Sequence, residues 1–280
     1  MKFIWLAILL FASAAHAQDN SIILPQRTFA PSPGSAWLVI DGGESPIEHN
    51  NGLMTAHFEQ GRVIVQANKV NVELYVSSTA SMDTQRLYWN NRVALQGGVK
   101  VNRTFSFKHA EGVASVGTAY AYENRYLAGG SSATAPGAFA SDWFGWQPAE
   151  EKESRWPGET WAEVGTISPV EGRGQVIGTG YVQQGYKLPL YAHEARGRRM
   201  DWSIVPFVES TYSKDRYHYD WNNFERVGAG VEAVMAPGVA FGASYVNERR
   251  FQSGIQAGGF SVFIKFWHGW NVRSKFEGSY

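Results

Sequence analysis

The feature that most constrains this chain is an alternation of apolar with small or polar residues that recurs in segments of about ten residues, the side-chain period of a strand with unlike faces. Val227, Ala229, Val231, Ala233 and Met235 fall on one face, opposite Arg226, Gly228, Gly230, Glu232 and Val234. Val239, Phe241, Ala243 and Tyr245 resume the pattern after the Met235-Ala236-Pro237-Gly238 turn, and Phe260, Val262, Ile264 and Phe266 close it. The same alternation runs through Val70–Val76, Val93–Val101 and Trp202–Ser210.

Segments of this length exceed the five or six residues usual for a soluble sheet and match what a tilted strand needs to cross a bilayer. A soluble β-sandwich also alternates, but it shows water its outer faces and carries more charge there. Charged residues make up 18% of this chain, below the usual quarter, while aromatic residues reach 14% and glycines number 30. These observations predict an all-β fold, a transmembrane antiparallel up-and-down β-barrel of about ten to twelve strands. Basic and acidic residues balance at 25 each, so net charge gives no argument for a nucleic-acid partner, and none is expected. The absence of cysteine excludes disulfides, thiolate metal sites and a Cys nucleophile.

Residues 1–17 read as a signal peptide: a short apolar run after Lys2 ends at Ala15-His16-Ala17, a small-x-small cleavage pattern. Export to the bacterial outer membrane follows as the expected localisation. Residues 18–57 are rich in Pro and Gly and read as an amino-terminal arm or plug, leaving 58–280 for the barrel. Trp37–Ile40 with Phe58–Val65 could add a pair of strands to a count of about ten.

Two stretches align, Trp89-Asn90-Asn91 leading into Gly98-Val99 and Trp221-Asn222-Asn223 leading into Gly230-Val231, which suggests a duplicated hairpin. With tight turns placed in the periplasm, the strand ending at Met235 runs inward and both chain ends lie on the periplasmic side. Alternating direction then requires one more crossing between Tyr122 and Trp161, and Phe139–Trp146 is the segment available for it.

No HExxH, GxSxG, phosphate-loop or EF-hand spacing occurs, so no catalytic residue, metal or cofactor is expected. The predicted lumen-facing charges are Glu73, Arg92, Lys100, Glu163, Glu209, Arg226, Glu232, Glu248 and Lys265. They could line a solute path, but a narrow barrel closed by ion pairs accounts for them better, and their mixed signs argue against strong ion selectivity. Arg216, Tyr217, His218, Tyr219 and Trp221 mix charge with aromatic faces on an outward loop, a surface suited to sugar rings or to a protein partner. An aromatic girdle at the membrane boundary explains the rings equally well.

With the WNN hairpins, Trp161-Ala162-Glu163-Val164-Gly165, Gln184-Gly185-Tyr186 and Val205-Pro206-Phe207, the chain resembles the carboxy-terminal outer-membrane barrel of the bacteriophage adsorption protein A family across roughly Tyr75 to Phe266. The resemblance implies a non-enzymatic barrel acting as a surface receptor or as a component of an envelope export assembly for exopolysaccharide. Its implied partners are polysaccharide, phage or an envelope export protein. Any such barrel also meets outer-membrane lipid and the barrel assembly machinery. The long helical-repeat region of that family has no counterpart here, since only about fifty residues separate Ala17 from Val70. A small-solute channel or porin and an outer-membrane lipid-modifying enzyme are the alternative readings.

Overall fold

The structure, a computed structural model, describes residues 32–270 apart from 44, 49–50, 128, 148–154, 167, 173, 190–192, 196–197, 201 and 236–237. The expected signal peptide, the arm up to residue 31, and Ala236 and Pro237 of the turn lie outside the described residues. In chain order the strands are β1 (Gly34–Asp41), β2 (Leu53–Ala67), β3 (Val70–Asp83), β4 (Arg92–Ser106), β5 (Ala110–Arg125), β6 (Ser132–Trp146), β7 (Gly158–Gly165) and β8 (Ile177–Gly185). Short β9 (Leu188–Pro189) and the hairpin β10 (His193–Ala195) and β11 (Arg198–Met200) follow. The wall then resumes with β12 (Trp202–Asp215), β13 (Phe224–Met235), β14 (Val239–Arg250) and β15 (Gln256–Trp270).

Each wall strand pairs antiparallel with its neighbours, β8 pairs with β12, and β15 returns to pair with β1, so the wall is a closed 12-strand up-and-down barrel. Closure leaves no edge, which is what allows a β-sheet to stand in hydrocarbon. The exterior is an apolar belt: Val76, Leu95, Val116, Val208, Val231 and Phe260 are all exposed. The interior strings together Tyr75, Ala119, Val205, Phe207 and Phe263 with buried Glu73, Ser203, Glu232 and Ser261. Alternation in the sequence therefore maps onto lipid and lumen.

Phe139–Trp146 lies within β6 and crosses. The arm boundary needs correction: Gly34–Asp41 is a wall strand, and β2 begins at Leu53 rather than in the fifties' upper end. Pro and Gly content obscured it, yet Gly34 is where the Trp270 indole lies against the backbone, and any Cβ there would collide with it. Connections after β2, β4 and β13 are short, and Asn68 and Gly238 supply the left-handed backbone at two of them. All three open at the end that holds the start of β1 and the finish of β15, which the short-turn rule makes periplasmic.

A charge on the outer face should be costly where one on the inner face is not. Val231→Arg, placed on the lipid side of β13, is expected to destabilise the barrel by about 2–4 kcal/mol, read by urea unfolding in lipid vesicles.

Candidate functional site

The two WNN segments open a correspondence that covers the whole wall. Ladder pairs Trp37↔His57, Glu59↔Ser77, Glu73↔Lys100 and Gly117↔Phe139 in β1–β6 recur as Trp161↔Tyr181, Gln183↔Glu209, Val205↔Glu232 and Gly242↔Phe263 in β7–β15. The two joins between halves match as well. Trp270 Nε1 donates to Gln60 Oε1 at 3.0 Å across one, and Trp146 Nε1 donates to Gln184 Oε1 at 3.1 Å across the other. Two six-stranded halves at one register, closed in a ring, are related by a half-turn about the barrel axis.

The outer mouth shows this duplication in its polar groups. Asp83 ends β3, and its carboxylate accepts from the Leu87 backbone at 3.0 Å and from Asn91 Nδ2 at 2.6 Å. Asp215 ends β12 and accepts from the Tyr219 backbone at 3.1 Å and from Asn223 Nδ2 at 2.6 Å. Each Asn side-chain oxygen accepts in return from the backbone N–H of its Asp at 3.2 Å. The first Asn of each motif bridges two carboxylates: Asn90 reaches Asp83 and Glu48, and Asn222 reaches Asp215 and Glu171.

Glu48 and Glu171 come from the β1–β2 and β7–β8 loops, which fold into the mouth, and each ties to the opposite half. Glu48 pairs with Arg250 of β14 at 2.9 Å, and Glu171 pairs with Arg125 of β5 at 2.7 Å. Each arginine is held a second time by a carboxylate on its own strand, Arg250 by Glu248 and Arg125 by Glu123, both at 3.0 Å. Ser168 Oγ donates to Glu123 at 2.8 Å, and Ser45 sits beside Arg250 and Glu248. Arg226 adds a further contact to Glu248 at 2.8 Å, and Arg92 approaches Glu123 at 3.8 Å. Glu248 and Asn223 are fully buried, so both depend on these partners for the hydrogen bonds that water would otherwise give.

Above this network the indoles of Trp89 and Trp221 stack at 5.1 Å and 6°, and the Tyr219 ring continues the stack on Trp221 at 4.9 Å and 7°. Tyr88 packs edge-on against both indoles and is exposed, as are Arg216, Tyr217 and His218. Tyr219 and Trp221 are half-buried over the mouth, and so do not form a lipid-facing girdle.

Below the mouth lie the remaining charges expected to face inward. Lys100 bridges Glu59 at 2.5 Å and Glu73 at 3.6 Å, and Lys265 lies 3.8 Å from Glu232, which also accepts from Gln183. Glu209 accepts from the Tyr181 hydroxyl at 3.0 Å. Glu163 has no hydrogen bond or ion pair among the described residues. The sequence analysis missed Asp83, Asp215, Glu48, Glu171, Arg125 and Arg250. Their signal was present as two further repeats, Ser45-Pro46-Ile47-Glu48 with Ser168-Pro169-Val170-Glu171, and Glu123-Asn124-Arg125 with Glu248-Arg249-Arg250.

No family model and no curated protein matches this chain. Among solved structures it is similar to the β domain of the Bordetella autotransporter BrkA, at 15% identity over 86% of this chain and 99% of that one, TM-score 0.38. It is also similar to an outer membrane channel from Pseudomonas putida F1, at 9% identity over 90% and 99%, TM-score 0.43. LpxR from Salmonella typhimurium aligns at 11% identity over 83% and 99%, TM-score 0.33. What places the chain in the bacterial outer membrane is its own wall, closed, antiparallel, apolar outside and polar within.

Because each arginine carries one tie within its half and one across, removing it takes a charged partner from two carboxylates at once. Arg125→Ala and Arg250→Ala are each expected to cost about 3–5 kcal/mol in vesicle unfolding, and the Glu171→Ala and Glu48→Ala effects to be non-additive with the arginine they face.

Proposed function

We propose that this outer-membrane barrel is non-enzymatic and binds a polysaccharide at its outer mouth, as a surface receptor or as a component of an envelope export assembly. The observation that carries this reading is the aromatic stack of Trp89, Trp221 and Tyr219, flanked by exposed Tyr88 and Tyr217 and by the charged Arg216. Flat apolar ring faces beside hydrogen-bonding groups suit sugar rings, whose C–H faces pack on aromatics while their hydroxyls pair at the edge. The Asp–Asn clamps beneath the stack fix the rings in advance, so little side-chain entropy remains to be lost on binding. The resemblance of the WNN hairpins to the phage adsorption protein A barrels agrees with a role at the cell surface.

The test is titration of detergent-solubilised barrel with purified surface polysaccharide from the producing cells, followed by tryptophan fluorescence. Tyr88→Ala and Trp221→Ala should each weaken binding roughly thirtyfold, the equivalent of about 2 kcal/mol for a central aromatic contact, with heat-modifiable migration retained. Absence of binding by the unaltered protein, or unchanged affinity in both variants, overturns the proposal.

A further inference from the structure

The internal duplication separates what the barrel needs in order to close from what it does not. At the joins, and in the Asp–Asn clamps and Glu–Arg ties of the mouth, equivalent positions carry equivalent groups. In the middle of the lumen they do not: Glu73, Glu163, Glu209 and Lys265 stand where the other half has Val205, Val39, Ser77 and Ser141. The same backbone at the same register accepts an apolar or neutral residue at each of these places, so closure does not require the charge.

The charges are also not balanced. Between the mouth network and the periplasmic rim, Asp41, Glu59, Glu73, Glu163, Glu209 and Glu232 face inward, against Lys100 and Lys265 among the described residues. Mixed signs along the sequence had argued against selectivity, but the arginines expected to face inward, Arg92 and Arg226, sit in the mouth network, and the middle holds more carboxylates than lysines. A second observation points to an occupant. The Tyr75 hydroxyl, on a residue 3% exposed, and the Ser77 hydroxyl, on one 5% exposed, are buried without a hydrogen-bond partner. Glu59, Glu73 and Glu163 lie within electrostatic reach of that phenol. Buried hydroxyls of this kind call for a hydrogen-bonding ligand, and beside an excess of carboxylate a hydrated cation supplies both the hydrogen bonds and the charge.

We propose that the lumen is a path for small hydrated cations, closed at its outer end by the β1–β2 and β7–β8 loops through the Glu48–Arg250 and Glu171–Arg125 ties. The latch is built of groups that water can solvate again, so releasing it uncovers ionic and amide groups. A permanent plug would gain more from apolar packing than from buried ion pairs. Inside, the carboxylates lower the energy of a cation and raise that of an anion along the same route.

Two measurements test this. In planar bilayers with a potassium chloride gradient, the protein carrying Glu48→Gln and Glu171→Gln should conduct at least tenfold more than the unaltered protein, with a reversal potential of the cation-selective sign. Adding Glu163→Gln and Glu209→Gln should move that potential toward zero. A folded latch variant that does not conduct, or conducts with anion preference, overturns the proposal. If the latch variant does not fold, the second measurement decides: the chain has no cysteine, so Ser77→Cys in the otherwise unaltered barrel gives a single lumenal thiol. A cationic thiosulfonate added from the periplasmic side should modify it at least tenfold faster than an anionic one of equal size, and equal rates, an anionic preference or no modification by either reagent would overturn the proposal.

Discussion

Every backbone amide that enters hydrocarbon must find its partner within the protein, and the rest of this structure is a consequence of that demand. An open sheet would present two unpaired edges to lipid; joining β15 to β1 removes them. Closure in turn fixes the pleat, so that one set of side chains faces lipid and the next faces the lumen at every step around the ring. The Trp270–Gln60 and Trp146–Gln184 bonds fasten the two places where one half of the chain meets the other.

The two halves share a register but not a purpose at every level. At the outer end each half lends an acidic loop residue to the other's arginine while its own asparagine holds the same residue, so each mouth loop is tied to both halves. This exchange couples the halves at the top as the ladders couple them at the sides. Midway down, paired rings repeat, Tyr75 on Phe139 and Phe207 on Phe263, each pair at 6.0 Å, while the charges around them differ between halves. Where the groups coincide, the fold explains them; where they diverge, they are free to serve the lumen's contents.

Much of this was legible in the sequence because membrane strands obey a period that local reading can follow. Val227 to Met235 and Phe260 to Phe266 declare their lipid faces residue by residue, and the demand for alternating direction was enough to find β6, whose second half, Phe139 to Trp146, does not alternate cleanly. The same reasoning placed inward charges such as Glu73, Lys100 and Glu232, since they share a face with small residues. At Gly34–Asp41 it reached Trp37–Ile40 only as an optional strand paired with Phe58–Val65 and left the segment in the arm, because glycine and proline nearby mimic a loop. It stalled at Glu48 and Glu171, whose short Ser-Pro-x-Glu motifs carry no periodicity.

The sequence by itself determined the kind of solvent this chain faces on each side of its strands, because hydrophobic alternation is a property of neighbouring residues. It also held the duplication, visible in the paired WNN segments. Only the tertiary structure decided that Glu48 meets Arg250 and Glu171 meets Arg125, that two indoles more than a hundred residues apart stack face to face, and that the carboxylates collect in one stretch of lumen. Those outcomes depend on where a closed ring brings distant strands together, and the register and closure that set those distances come from summing all the ladders, a sum that no local pattern contains.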